Sequence, residues 1–266
     1  EQGSWQRVND VLALLEKAGV PNRFGGQRYG ALENSHRIGR AILRRDYTTA
    51  VTEIIGDPRA IVHPGWREAA AAYRGGDLAT AIEKLPRHCR PERALLSLLK
   101  NGKSPKQAVL AMPRKLLRLY LSAYQSSLFD RLVDMRMTSL NKIWPGDIAF
   151  KHVNGACFAV TDPAAEQRRA DTFEISATAP LYGYKTRLAE AQAGLLEASL
   201  LDKEELTLQS FRLSGGLAMA GERRPLRVPL RAVACTADKD DLLLSFSLPK
   251  GSFATTVLAE VMKTDP

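Results

Sequence analysis

The sequence predicts an α+β fold, and three observations carry that reading. Apolar residues recur at helical spacing through most of the first 145 residues, the pattern changes to two-residue alternation after Pro145, and from there helical and alternating segments mix without a regular βαβ order. With 266 residues the chain can form one large domain or two smaller ones, each with a sizeable core.

Each element has a local reason. Ser4 to Ala18 reads as an amphipathic helix, with Ser4 able to cap it, Trp5, Val8, Leu12 and Leu15 on one face, and Gly19 and Pro21 as its stop. A second helix starts near Ser35; it carries Ile38, Ala41 and Ile42 on one side and a row of Arg37, Arg40 and Arg44 on another, either a solvated face or a phosphate-contacting one. From Thr48 to Met112, stops such as GDP, HPG, RGGD and KSP cut the chain into short helices, and Asp77 is a plausible N-cap for LATAIEKL. That region shows no second copy at a fixed period, so a solenoid is not expected.

The longest helix is predicted from about Arg114 to Met137, where Leu117, Leu121, Tyr124, Leu128, Leu132 and Met135 form a stripe. Beyond Pro145, KHV-NG-ACFAV predicts a hairpin with a type I′ turn at Asn154–Gly155. Asp162–Pro163 opens a helix, EISATAP is a strand, and Thr186 to Leu201 reads as helix on Leu188, Ala191, Leu195 and Leu196. The tail holds two alternating strands around a polar turn at Asp238 to Asp241. A closing helix follows, with Ser252 as cap and Val257, Leu258, Val261 and Met262 as core face.

Composition narrows the function. Against 29 Asp+Glu stand 38 Lys+Arg, a net charge of +9 that favours a polyanionic partner. Cys89, Cys157 and Cys235 are far apart with no CxxC pair, and His36, His63, His88 and His152 lack HExxH spacing, so no metal or disulfide framework is expected; His88–Cys89 reads as surface chemistry. No apolar run approaches ~20 residues and no signal-peptide pattern opens the chain, so the expected setting is cytoplasmic, reduced and away from membranes.

The stretch PNRFGGQRYG, Pro21 to Gly30, concentrates ligand chemistry. Gly25, Gly26 and Gly30 permit close backbone approach, Asn22, Arg23, Gln27 and Arg28 offer donors to phosphates or base edges, and Phe24 and Tyr29 could stack on unpaired bases. Composition alone leaves a structural loop equally open.

With PNRFGGQRYG near the start, YQSSLFDRL on the long helix and LPKGSFATTVLAEVMK at the end, the chain resembles the TruD-type tRNA pseudouridine synthase family over nearly its whole length; ATAPLYGYK and GERRPLRV add weaker support. The resemblance implies a pseudouridine synthase core interrupted by a large α+β insertion (TRUD) domain. Residues 1–23 would end the first part of the core, 24–227 form the insertion and 228–266 return to the core. It implies an isomerase that converts uridine to pseudouridine, typically at position 13 of tRNA, with no cofactor or metal, and a monomer in full-length form. Asn22, Phe24, Gln27, Arg28 and Phe253 become candidate substrate-binding residues. Phe253 matches an active-site aromatic that holds the flipped uracil, although on sequence alone it reads equally well as a helix-start core residue.

The family's catalytic aspartate lies in a GxKDxxAxTxQ-like segment upstream of PNRFGGQRYG, and no matching segment occurs in this chain; Asp147 in PGDIAF and Asp238 in TADKDD lack the surrounding pattern. No catalytic residue is therefore assigned within the chain. It is expected to be the C-terminal part of a longer product whose aspartate precedes Glu1, and inactive alone; a truncated family member that binds tRNA without catalysis is the alternative.

Overall fold

A computed structural model describes residues 2–238 and 241–263. Helices in chain order are α1 (Gln2–Ala18), α2 (Ser35–Leu43), α3 (Tyr47–Ile55), α4 (Pro64–Arg74), α5 (Leu78–Lys84), α6 (Arg90–Lys100), α7 (Pro105–Leu110), α8 (Arg114–Met135), α9 (Pro163–Asp171), α10 (Ala191–Lys203) and α11 (Ala254–Met262). The strands are β1 (Val20–Pro21), β2 (Ile148–Lys151), β3 (Cys157–Ala159), β4 (Ile175–Leu181), β5 (Glu222–Pro225), β6 (Arg227–Val228), β7 (Arg231–Asp238) and β8 (Asp241–Ser247). The class is α+β.

Two compact units result. A helical unit comprises Gly26–Ser127 and Leu208–Ala220, and a mixed unit comprises the described residues of Glu1–Gly25, Leu128–Thr207 and Gly221–Pro266. Helix α8 contributes its first part to the helical unit and its last part to the mixed one.

In the helical unit the short helices begin where side chains satisfy orphan amides. Asp46 accepts from the Thr49 N–H, Asp77 from Thr80, and Ser104 forms a capping box with Gln107. Their apolar faces bury Ile42, Ile55, Leu95, Leu96 and Leu117. Gly39 is required by contact, since a Cβ there would lie 2.0 Å from the Tyr120 carbonyl oxygen.

The mixed unit holds an antiparallel sheet of order β3-β2-β4-β5 and a β7–β8 hairpin. Leu12 and Leu15 of α1, Val20, Val228, Leu230 and Val257 of α11 form a core alongside the hairpin. The pairing of β1 with β6 sets Val20 opposite Val228 and Pro21 opposite Arg227. Arg227, only 1% exposed, donates to the Ala18 oxygen at the end of α1 (2.5 Å) and the Ala170 oxygen near the end of α9 (2.7 Å), with its guanidinium 4.4 Å from the Phe173 ring centroid. Helix C-termini carry partial negative charge, which suits a cation. Burial nevertheless lowers its pKa to about 10, with Asp171 opposing.

Several sequence expectations are corrected. Helix α1 already runs from Gln2, so Ser4 lies inside it, and Trp5 is exposed. The β2–β3 loop spans His152 to Ala156 rather than two residues. Only Gly155 takes positive φ, because the Asn154 side chain captures the Ala156 N–H at 3.0 Å and the Gly155 N–H bonds back to the Lys151 oxygen. Helix α10 starts at Ala191, not Thr186; Leu195 is exposed while Glu197 is buried in an ion pair with Arg223 at 2.8 Å and holds the Ala189 N–H. Helix α11 follows Phe253 as its N-cap position instead of Ser252, and Met262 is exposed, as is Met135 at the end of α8. Of the polar turn at 238–241, residues 239 and 240 lie outside the described residues.

Candidate functional site

The segment Pro21–Gly30 divides at Gly25. Its first half belongs to the mixed unit, where three separate stretches of chain meet on Phe24. The Phe24 N–H donates to Asp130 Oδ1 at 2.9 Å, and its ring meets the Phe129 ring edge-on, 5.9 Å between centroids at 85°. Phe129 and Asp130 both come from YQSSLFDRL. The Phe253 ring, from LPKGSFATT, lies 5.7 Å from Phe24 at 52°. Such tilted and edge contacts are favoured by the aromatic quadrupole over face-to-face stacking.

Arg224 of β5 ties these stretches together. Its Nη2 donates to Asn22 Oδ1 at 2.6 Å and to the Gly251 oxygen at 2.9 Å, its Nε to the Asn22 oxygen at 3.3 Å, and its guanidinium stands 4.5 Å from the Phe24 centroid and 5.6 Å from that of Phe129. Burial pushes this guanidinium below its ordinary pKa, with Asp130 and Glu222 pulling it back up. Asn22 is itself buried and donates to the Pro225 oxygen at 2.9 Å. Gly25 permits the packing, because a Cβ there would come within 2.6 Å of Thr255 Oγ1. An ion pair between Arg23 and Asp134 completes the frame. What results is a rigid set of aromatic faces beside a fixed cation, with Phe253 half-buried, suited to a planar ring.

The second half belongs to the helical unit, where Gly26–Tyr29 makes a 3-10 turn. Gln27 is exposed. Arg28 donates from Nε to Ser126 Oγ at 3.0 Å and from Nη2 to Ser122 Oγ at 2.8 Å, again on α8. Tyr29 packs edge-on against His36, 4.9 Å between centroids. Of the predicted arginine row, Arg37 turns to Glu53 at 3.0 Å.

Asn22, Phe24 and Phe253 are thus brought together, whereas Gln27 and Arg28 sit in the other unit. Sequence reasoning missed Arg224, Phe129 and Asp130. The signal for the last two was present, since they lie in a motif already singled out. Asp147 is fully buried and structural: Arg136 Nη1 and Nη2 reach its carboxylate at 3.0 and 3.1 Å and the Trp144 N–H at 2.7 Å. Cys89, expected at the surface, is buried at the start of α6, and burial raises its thiol pKa. Among the described residues no group of three or more His, Cys, Asp or Glu is placed to hold a metal, and no helix is long and apolar enough to cross a membrane.

The meeting of PNRFGG, SSLFD and KGSFATT on one ring gives the motif set a physical basis, and comparison with known proteins agrees with it. A sequence profile for "tRNA pseudouridine synthase D (TruD)" matches residues 1–261. The chain belongs to the TruD family. A tRNA pseudouridine synthase D from Syntrophotalea carbinolica is 59% identical over 260 residues, covering 98% of this chain and 65% of the relative. One from Geotalea daltonii is 55% identical over 255 residues, covering 96% and 64%. A crystal structure from Methanosarcina mazei, provisionally named tRNA pseudouridine synthase D, superposes with a TM-score of 0.83 at 27% identity, over 98% of this chain and 64% of that one. The chain therefore spans just under two thirds of the length of these three relatives.

Proposed function

We propose that this chain provides the insertion domain and part of the core of a tRNA pseudouridine synthase that isomerises uridine to pseudouridine, at position 13 by family resemblance. The observation that carries the reading is the Phe24–Phe253 contact, locked by Arg224, which joins residues from both ends of the chain in one aromatic cluster. In the proposed reaction the uracil leaves its stack, the C1′–N1 bond breaks, the ring turns, C1′ bonds to carbon 5, and the carbon 5 proton leaves while N1 takes up a proton, so that the atoms balance. Phe253 holds the base while it is detached, and Phe24 and Arg224 hold Phe253 and the Gly251 turn in place. Asn22 offers no free side-chain donor pair, so its part is to anchor Arg224. The reaction is an isomerisation and calls for no cosubstrate. Its carboxylate has no motif in this chain, so the reading requires one supplied from outside these 266 residues. Cytoplasmic tRNA as partner and a monomeric full-length protein belong to the same proposal.

The test is pseudouridine formation in an unmodified tRNA transcript by the full-length protein and by its Phe253→Ala variant. A fall of about 100-fold or more in the single-turnover rate is expected, with tRNA affinity changed by less than about three-fold, because the ring acts on the flipped base after docking. Equal losses in rate and affinity would remove the stacking role. Salt-dependent tRNA binding with no pseudouridine at all would favour a non-catalytic tRNA-binding protein instead.

A further inference from the structure

A recess of about 240 Å³ opens in the helical unit beside the α2–α3 turn, α7 and the segment after Phe211. Arg45, Lys106 and Arg212 line it together with Tyr47 and Ser214, and no carboxylate does. Asp46, adjacent in sequence, is committed to the Thr49 N–H as the cap of α3. Ile42 and Leu217, which also line the recess, are buried.

Arg45 is held at φ +61°, in the left-handed region. It sits in the turn that closes α2, where its N–H reaches the Ile42 oxygen at 3.1 Å and the Asp46 N–H reaches the Ala41 oxygen at 2.9 Å. Glycine or asparagine ordinarily fills such a position, because an L side chain is strained in that conformation. Local folding therefore gives no reason for arginine at this place, whereas a ligand in the recess does. Ser214, also in the lining, precedes Gly215 and Gly216, both at positive φ, and a Cβ at Gly215 would meet nothing within 4 Å. Arg45 and Lys106 lining one recess beside buried apolar side chains suit a phosphate oxyanion, and a guanidinium group matches its geometry.

We propose that this recess binds a phosphate of the RNA backbone, as a contact distinct from the aromatic cluster; the inference rests on tRNA being the partner. The test is tRNA binding across a salt series for the full-length protein and for Lys106→Ala and Arg45→Gly. Each variant should lose about five-fold in affinity near 0.15 M salt and lower the salt slope by about 0.7–1. Arg45→Gly should also raise the melting temperature by about 2 °C, because glycine relieves the strained φ, so its weaker binding cannot be ascribed to unfolding. Unchanged affinity and slope in both variants, with tRNA still bound and isomerised by the unaltered protein, would overturn this site and leave the proposed function standing. The expected losses combined with no pseudouridine from the unaltered protein would do the reverse. Saturable binding of inorganic phosphate or a nucleoside monophosphate at micromolar concentration, abolished by Lys106→Ala, would assign the recess to a small phosphate ligand and overturn the RNA-backbone reading.

Discussion

Arg224 and Arg227 of the mixed unit turn their guanidinium groups onto protein, one onto Asn22, Gly251 and two phenyl rings, the other onto two helix-end carbonyls. Arg45 and Lys106 of the helical unit line a recess that no carboxylate enters. All four count equally toward the net charge of +9, yet only the second kind leaves charge for a polyanion. An arginine surplus is thus a weak guide to RNA contacts until each group's partners are known.

The contrast can be broken at its strongest point first. Arg227→Met removes the donor to the Ala18 oxygen and one of the donors to the Ala170 oxygen, which keeps the Phe173 N–H, and should cost about 2 kcal/mol, read from urea denaturation; a loss below about 1 kcal/mol would show that the clamp is replaceable by packing. Arg224→Lys keeps the charge but not the fork that bonds Asn22 and Gly251 while lying over Phe24. A cost of about 2 kcal/mol is expected, together with slower pseudouridine formation by the full-length protein. Full recovery by lysine would mean that charge alone organises the cluster. Arg28 is the intermediate case, half-buried on Ser122 and Ser126. Arg28→Ala should lower the tRNA salt slope by about 1 and cost about 1 kcal/mol of stability, and an unchanged slope would place Arg28 with the inward-turned group. Ser126→Ala, which removes the acceptor for Arg28 and the hydroxyl's own bond to the Ser122 oxygen, should cost no more than about 1 kcal/mol in thermal denaturation and leave the slope alone. A lower slope would tie the Arg28 orientation itself to RNA contact.

What the sequence made legible was mostly local. Asp77 and Asp162 cap the helices they were expected to cap, because an aspartate before a helical run satisfies an amide two or three residues on. Where no side chain caps, as before α10 and α11, the predicted start slipped. The hairpin was visible at Asn154–Gly155, but its turn type was decided by an asparagine side chain competing for a backbone amide. At the candidate site the ligand-suited residues of PNRFGGQRYG could be read, whereas Arg224 could not. Its bond to Asn22 joins positions 202 residues apart, and in ERRP it looks like any charged strand residue. Nor did spacing show that one arginine of the pair faces Asn22 and its neighbour Glu197.

The pairing of Val20 with Val228 also bears on how the protein is made. At about 5–20 residues per second a ribosome needs roughly 10–40 s to travel between them. The helical unit, drawn chiefly from the continuous run Gly26–Ser127, can close during that interval. The apolar stripe of α1, with Leu12 and Leu15, must wait for β6, Leu230 and α11 before it is covered. Nascent chains stalled before Val228 should therefore present that stripe to chaperones, and synthesis resumed through α11 should end the exposure.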